Sequence, residues 1–220
     1  MSHSTLRDHK RYAIVKEALA VACFDGWNEA TITKAAVKAG LPALEGRRLF
    51  PDGVAEVFSC YAEMVDSALL EKAAAANLSS MRVHERVAWL LRTRLELIAP
   101  HKEAIRRAVS LMAMPWHHGK LIRSVWDVSD MIWQLAGDSS TDFNYYTKRT
   151  LLMQVYASTI LFWLNDDSPN TEASWEFLDR RIQDVLKMGK QIGKTRASVS
   201  ASVEGLMDQL LNRQKYRTKR

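Results

Sequence analysis

Apolar residues recur at helical spacing along the chain, and no run of strict apolar and polar alternation indicates a β-strand. Near the N-terminus two apolar stripes are separated by the turn Asp25-Gly26-Trp27, and a third short segment runs from Pro42, as first helical residue, to Leu49. Three short helices with a glycine turn at Gly40 predict a helix-turn-helix shape. The stripes are Tyr12, Val15, Leu19 and Ala22, then Ile32, Ala35, Ala36 and Ala39.

Longer helical stripes follow and predict a bundle. The next helix spans about Val54 to Asn77, and Ser79-Ser80 is expected to cap its successor, whose stripe begins at Val83. Later helices are expected to end near Met114, to cover 117–136, and to start at Ser168-Pro169. The fold class is therefore all-α, with an N-terminal unit at 1–53, a bundle at 54–190 and a last segment at 191–220.

The apolar run at 151–164 is too short to cross a bilayer. Fourteen helical residues fall well below the roughly 30 Å of hydrocarbon, so this run predicts a buried core helix. The first residues contain no apolar stretch typical of a secretory signal, and Asp8 disfavours a transit peptide.

Composition is that of a globular protein, with 47% hydrophobic and 25% charged residues. The net charge of +6 resides in 189–220, which carries eight basic and two acidic residues. Such a tail suits nucleic acid or an acidic membrane face. Cys23 and Cys60 have no partners at metal-ligand spacing.

The basic tail also carries an amphipathic pattern. Its apolar positions fall on one helix face and its cations crowd the C-terminal end, which favours a helix lying in a membrane interface. A helix packed on its own bundle or on a partner, or a disordered basic tail, remains the alternative. The expected membrane-contacting residues are Val199, Val203, Leu206, Met207, Leu210, Leu211, Arg213 and Lys215.

Several motifs resemble known families. The N-terminal pattern, including Thr31-Ile32-Thr33 and Leu49-Phe50-Pro51, resembles TetR-type regulators. The longer strings Ala136-Gly-Asp-Ser-Ser-Thr-Asp-Phe-Asn144 and Trp175-Glu-Phe-Leu-Asp-Arg-Arg-Ile182 resemble the ubiquinone-biosynthesis accessory family, the mitochondrial CoQ-nine proteins and their bacterial relatives. The similarity covers about residues 12–211.

The resemblance implies a TetR-like fold that has given up gene regulation. It implies a homodimer without enzymatic activity or cofactor that binds isoprenoid lipids, including quinone intermediates, and assists the di-iron hydroxylase of ubiquinone synthesis. We expect a bacterial cytoplasmic protein peripheral to the inner membrane, or a matrix-side protein in a mitochondrion.

Tyr145 and Arg149 share a helix face at i and i+4, with Tyr146 beside them, on what the sequence indicates is an exposed helix start. Tyrosine and arginine are frequent interaction hot spots, although a solvated first turn explains the composition equally well. In the resembled family this stretch contacts the hydroxylase. The predicted partner-binding residues are Asp142, Asn144, Tyr145, Tyr146 and Arg149. Relatives often have Trp-Tyr where this chain has Tyr145-Tyr146, so the anchor here is smaller.

Tryptophans and methionines concentrate on the three predicted helices that end near Met114, Ala136 and Leu164. Such stripes are usually core, but a lipid cavity among these helices needs the same deformable apolar lining. The predicted lipid-binding residues are Met112, Trp116, Trp126, Met131, Trp133, Met153 and Tyr156.

Competing functions are weaker. A ligand-responsive DNA-binding regulator needs polar side chains at the start of its recognition helix, whereas this chain offers Leu44 and Glu45, and residues 1–50 carry a net charge of only +3. No nucleic acid is expected as a partner. An apolar-ligand carrier without a hydroxylase partner is a third class. The pair His117-His118 lacks a third ligand at i+4, so no metal site is predicted, and no catalytic constellation appears.

Overall fold

The computed structural model describes residues 3–115, 118–138 and 143–187, with the backbone alone for 3–5, 118 and 143–144. All regular structure in these ranges is helical, which confirms the all-α prediction. The helices are α1 (His3–Asp25), α2 (Glu29–Lys38), α3 (Ala43–Leu49), α4 (Val54–Ala75), α5 (Val83–Ile98), α6 (Lys102–Met112), α7 (His118–Leu135), α8 (Phe143–Leu164) and α9, which covers 172–187.

The chain divides into one compact unit at 1–178 and a second at 179–220. The first unit holds α1–α8 and the start of α9. In the second unit, residues 179–187 are helical, and Arg181 pairs with Asp184 at 2.8 Å. The predicted boundaries at 53 and 190 stay predictions.

Helices α1–α3 form the predicted three-helix unit. The side chain of Asn28 caps α2 by accepting a hydrogen bond from the amide of Thr31 at 3.0 Å. Gly40 follows α2 with φ +74°, a conformation that glycine adopts without strain. A Cβ at Gly46 would lie 3.0 Å from the carbonyl oxygen of Ile32, so α2 and α3 pack at backbone distance. These contacts hold the helix-turn-helix shape.

Two details of this unit differ from the sequence prediction. Tyr12 is 38% exposed, because the buried face of α1 is formed by neighbouring positions such as Ile14, Val15 and Ala18. Pro42 precedes the first helical residue of α3 instead of occupying it, and its extended backbone ends the preceding turn. The stripe from Val15 through Leu19 to Ala22 is buried as predicted.

The three-helix unit packs firmly on the bundle. The indole N–H of Trp27 donates to the carbonyl oxygen of Ala104 in α6 at 2.9 Å, and its ring meets Phe58 of α4 edge to face at 4.4 Å. Arg11 pairs with Glu56 at 2.7 Å. These contacts fix α1 and α2 against α4 and α6.

The start of α5 does not use the predicted serine cap. Ser79 and Ser80 form a short 3-10 turn, and α5 begins at Val83, which is 48% exposed. The amide of Arg82 donates to the carboxylate of Glu85 at 2.8 Å instead. The hydrogen bond from the Arg82 side chain, joined by this amide bond, lowers the pKa of Glu85 to about 2.

Helix α8 contains the apolar run 151–164 and is only partly a core helix. Trp163 and Leu164 are buried, whereas Leu161 is 53% exposed and Phe162 is 37% exposed. None of the described helices combines the length and the hydropathy that crossing a bilayer requires. After α8, the Asp166 carboxylate accepts hydrogen bonds from the amides of Ser168 and Ser174 at 2.8 and 2.9 Å, which fixes the turn into α9.

Candidate functional site

The C-terminal end of α7 is fixed by a glycine and by an arginine from another helix. Gly137 has φ +88°, which a residue with a side chain rarely adopts. Arg86 of α5 donates to the carbonyl oxygen of Ala136 at 3.0 Å. The chain therefore leaves α7 in one fixed direction, and Asp138 is placed beside the first turns of α8.

Arg149 of α8 is buried in an ion-pair cluster with α7 and with this turn. Its side chain is 2% exposed; it pairs with Asp138 at 3.2 Å and forms a short charge-assisted bond to Asp130. Asp138, 5% exposed, also pairs with Lys148 at 2.6 Å. Burial disfavours the charged guanidinium, but hydrogen bonds to the two carboxylates outweigh it and raise the pKa of Arg149.

Tyr145 lies on top of this cluster. Its hydroxyl donates to Asp130 at 3.1 Å, and the guanidinium of Arg149 stacks on its ring at 3.4 Å from the centroid. Tyr146 meets Tyr145 edge to face at 5.1 Å and lies 6.3 Å from the ring of Trp126 in α7. With 63% of its surface exposed, Tyr146 is the outermost member. We call these residues the α7–α8 corner: Trp126, Asp130, Asp138, Tyr145, Tyr146, Lys148 and Arg149.

The structure thus corrects one part of the predicted partner-binding set. Arg149 was expected at an exposed helix start, but it points into the α7–α8 packing because two carboxylates there neutralise it. It positions Tyr145 and cannot itself present a contact. Tyr145 and Tyr146 do lie together at the surface. Asp142 falls outside the described residues, as does the side chain of Asn144.

Sequence reasoning missed the acidic half of the corner. Asp130 is an ordinary surface-type residue fifteen positions before Tyr145, and no local pattern connects the two. Asp138 is part of the quoted Ala136-Gly-Asp string, which predicts a turn and helix cap, but no ion pair was predicted for it. The side chains it would neutralise, Lys148 and Arg149, lie ten and eleven residues later, which is the signal that could have found it.

The predicted lipid-binding residues do not gather in one place. Trp126 belongs to the α7–α8 corner, and Trp133 adjoins it because its indole N–H needs an acceptor and finds the carbonyl oxygen of Lys148 at 3.0 Å. Met131 and Met153 are half-buried and line none of the cavities described below. Trp116 lies outside the described residues.

Tyr156 lies in a buried polar cluster. Its hydroxyl accepts a hydrogen bond from Arg94 at 3.2 Å, and Arg94, 4% exposed, is neutralised by Asp66 of α4. The hydroxyl of Tyr61 is buried nearby and, among the described side chains, is the one buried polar atom without a hydrogen bond. Burial raises the pKa of Tyr61 to about 12. This cluster places a guanidinium–carboxylate ion pair within the bundle between α4, α5 and α8.

Among the predicted lipid-binding residues that the structure describes, Met112 is the one that lines a described cavity. That cavity, of about 140 Å³, lies between α4, α6 and α7, and its apolar walls include Phe58, Ile105, Val109 and Leu121. A more polar cavity of about 410 Å³ adjoins it between α4 and α7, and Ala55, Ser59, Lys120 and Ser124 line both. We call the two together the α4–α7 groove. Its larger part is polar and its smaller part is apolar.

Two predicted features fall where the structure gives no geometry. The histidine pair lies outside the described side chains; within those described, no group of three His, Cys, Asp or Glu residues could hold a metal ion. The predicted membrane-contacting residues, Val199 through Lys215, also lie outside the described range.

The helix order and packing define the class of protein: an all-α, TetR-like fold. A crystal structure of a TetR transcriptional regulator from Nitrosomonas europaea superposes with a TM-score of 0.65 at 22% identity, covering 79% of this chain and 95% of that one. At this identity the likeness shows the fold alone.

The predicted resemblance to the ubiquinone-biosynthesis accessory family is confirmed by sequence comparison. The COQ9 family model matches residues 119–189, which include the α7–α8 corner. The mitochondrial ubiquinone biosynthesis protein COQ9 of Rattus norvegicus is 30% identical over 204 residues, 90% of this chain. The human protein of that name is 36% identical over 115 residues, or 52% of this chain.

A probable ubiquinone biosynthesis protein coq9 of Dictyostelium discoideum is 32% identical over 74% of this chain. The chain spans 65% of the rat protein, 36% of the human protein and 55% of the Dictyostelium protein, which is less than two thirds of each relative's length.

Proposed function

We propose that this chain is a non-enzymatic accessory protein of ubiquinone biosynthesis. It binds an isoprenoid quinone intermediate at a membrane surface and presents it to the di-iron hydroxylase. The observation that carries the proposal is the alignment of 90% of the chain with a protein named for ubiquinone biosynthesis. The relatives are named as mitochondrial, which favours the matrix face of the inner membrane; in a bacterium the equivalent is the cytoplasmic face.

The α7–α8 corner is the proposed hydroxylase-binding surface. An exposed tyrosine held by a second tyrosine and a tryptophan offers a large, rigid contact area at low entropic cost. Because Asp130 accepts a hydrogen bond from Tyr145 and Arg149 stacks on its ring, the aromatic side chains of the α7–α8 corner are held in place before any partner binds.

Capture of purified di-iron hydroxylase by immobilised protein tests this surface. We expect Tyr146→Ala to weaken capture by tenfold or more, since truncating a hot-spot residue costs about 2 kcal/mol. Phe24→Ala is the matched control, because Phe24 is an aromatic residue with 86% exposure on α1, remote from the corner in sequence. Equal capture by both variants would remove the corner from the proposal.

The α4–α7 groove is the proposed lipid site. Its smaller part supplies apolar surface for an isoprenoid tail, and Lys120 and the two serines, which line both parts, can bind polar head-group atoms. The 140 Å³ apolar part is small for a tail, so binding requires α4 and α7 to separate further.

Mass spectrometry of lipid extracted from purified protein tests this site. Val109→Trp fills the smaller, apolar part of the groove and is expected to abolish co-purified isoprenoid. Val83→Trp introduces the same side chain at a 48% exposed position that does not line the groove, and it should retain the lipid. Retention by Val109→Trp would place the lipid elsewhere.

Membrane contact is assigned to residues 191–220 on the sequence pattern alone, through the apolar face from Val199 to Leu211 and the basic residues Arg213 and Lys215. Flotation of the full chain with anionic liposomes, compared with a 1–190 truncation, tests it. Equal flotation would remove the tail from the mechanism.

Homodimerisation is proposed through the outer face of α8. Leu161 and Phe162 are exposed there, and Phe162 stacks on Phe177 of α9 at 4.5 Å, so the three side chains form an apolar patch. Light scattering should show a dimer that Leu161→Glu with Phe162→Glu converts to monomer. A monomeric wild-type chain would refute this part.

A DNA-binding regulator is the alternative, favoured by the fold that this chain shares with the TetR transcriptional regulator of Nitrosomonas europaea. Opposing it, two cations of the helix-turn-helix unit are already paired with carboxylates: Arg47 with Glu29 at 2.6 Å, and Lys34 with Asp25 at 2.7 Å. A sequence-selective gel shift that resists salt and is lost in Arg47→Ala with Arg48→Ala would reverse the ranking.

A further inference from the structure

The N-terminal unit carries an open groove between α1 and α3 that neither the lipid site nor the α7–α8 corner uses. Its volume is about 400 Å³. Its lining combines two leucines, three basic residues and one acid: Leu6, Arg7, Lys10, Glu45, Arg48 and Leu49. We call it the α1–α3 groove.

Two large apolar side chains beside this groove face solvent. Leu6 lines the groove and is 51% exposed, and Leu44, which shares a face of α3 with the lining residue Arg48 at i and i+4, is 79% exposed. Neither leucine gains much from folding in these positions, because most of its surface stays in water. Exposed leucines beside a basic cluster are typical of surfaces that bind at a membrane interface.

The charges of the groove favour an anionic occupant. Glu45 is its one acidic lining residue, and both Lys10, at 3.7 Å, and Arg48, at 3.2 Å, pair with it. With Arg7, three cations therefore face one carboxylate. Arg48 is 80% exposed, so its ion pair is weak and its guanidinium is free to turn toward another anion.

We propose that the α1–α3 groove is a membrane-contact surface for bilayers that contain anionic phospholipid. Leu6 and Leu44 enter the interfacial layer, and Arg7, Lys10 and Arg48 bind lipid phosphates. Duplex DNA matches the cations but offers no apolar phase to Leu44. This inference goes beyond the proposed function, because it assigns membrane contact to the N-terminal unit independently of residues 191–220.

Vesicle sedimentation of the full chain tests the groove, with phosphatidylcholine vesicles that contain or lack phosphatidylglycerol. Leu6→Gln with Leu44→Gln is expected to weaken partition onto the anionic vesicles by about tenfold, the effect of withdrawing leucine surface from an apolar phase. Arg7→Gln with Arg48→Gln should remove much of the preference for the anionic vesicles. Phe24→Gln, 86% exposed near the other end of α1, should partition like wild type.

Each other outcome overturns the inference. Wild-type partition of the double leucine variant, with its circular dichroism unchanged, removes the groove as a membrane surface. A changed oligomeric state of that variant assigns the groove to a second copy of the chain, and duplex DNA binding lost in the arginine variant assigns it to nucleic acid. A Leu206→Gln, Leu210→Gln variant tests membrane contact by residues 191–220 separately. Its result therefore distinguishes a failure of the proposed function from a failure of the groove proposal.

Discussion

Arg47 and Arg149 both pair with carboxylates at hydrogen-bond distance, yet they lie at opposite extremes of burial. The Arg47 side chain is 66% exposed and that of its partner Glu29 is 73% exposed. The Arg149 side chain is 2% exposed and that of Asp138 is 5% exposed. The same kind of ion pair is therefore solvated at the surface of the N-terminal unit and buried between helices in the α7–α8 corner.

The difference determines what each pair can do. An exposed pair exchanges one hydrated state for another and contributes about 0 to 1 kcal/mol. A buried pair has lost its water, so removing one partner leaves an unneutralised charge that costs several kcal/mol. The α7–α8 corner consequently depends on Arg149 for its geometry, whereas the exposed pair at Arg47 contributes little to the fold.

The largest expected effect is that of Arg149→Met. This change leaves Asp130 and Asp138 without their shared cation and should lower the free energy of unfolding by about 3 to 5 kcal/mol. Urea denaturation followed by circular dichroism measures it. A loss below about 1 kcal/mol would contradict the view that burial makes this ion pair structural.

A buried carboxylate outside the corner tests whether burial has the same effect elsewhere. Burial disfavours ionised Asp166, but hydrogen bonds from Ser168 and Ser174 outweigh it and lower its pKa from the ordinary 3.8 to about 2. Because the folded-state pKa is depressed, the stabilisation is present above pH 4 and is lost as pH falls toward 2, a change of about 2 kcal/mol.

Unfolding free energies measured from pH 5 to pH 2 check this prediction. The Asp166→Asn variant is the control, since it should lack this part of the pH dependence while other carboxylates continue to titrate. Parallel pH profiles for wild type and Asp166→Asn would show that the hydrogen bonds to Asp166 are not stabilising.

Tyr145→Phe sharpens the comparison within the corner. The change removes the hydrogen bond to Asp130 but keeps the ring on which Arg149 stacks, so we expect a loss of about 1 kcal/mol. Thermal unfolding measures the loss. An effect as large as that of Arg149→Met would instead indicate that the hydroxyl, and not the ion pair, holds the corner together.

The smallest expected effect is that of Arg47→Met, the matched substitution at the surface pair. We expect the free energy of unfolding to change by no more than about 0.5 kcal/mol, and added salt should reduce even this difference because it screens the pair. The same urea titration as for Arg149→Met gives the direct comparison. A destabilisation above 1 kcal/mol would show that exposure alone does not separate the two pairs.

Helical periodicity and turn residues were sufficient to predict the elements. The all-α class, the three-helix unit ending at Gly40 and Leu49, and the break at Pro115 all follow from local rules about spacing, glycine and proline. The family resemblance followed from the strings around Gly137 and Trp175. Boundaries were less accurate, as at α5, where Glu85 and not Ser79 or Ser80 forms the helix-start contact.

The candidate site was only half predictable. Tyr145 and Tyr146 could be selected because they are neighbours in a recognisable string. Arg149 was predicted to be exposed, whereas its side chain is buried. Its i+4 spacing from Tyr145 gives the shared face correctly, yet spacing cannot tell which face another helix covers. Similarly, the apolar stripe of α8 does not reveal that Tyr156 meets a buried Arg94.

The sequence by itself determined the helices, the turn at Gly137 and the segregation of positive charge to 189–220, because these depend on residues close together in the chain. Only the tertiary structure decided that Arg149 is buried, that Leu6 of α1 and Arg48 of α3 line one groove, and that Met112, among the described residues of the predicted lining, reaches the α4–α7 groove. Burial and ion pairing depend on residues brought together from distant helices, and the pattern along one helix does not contain that information.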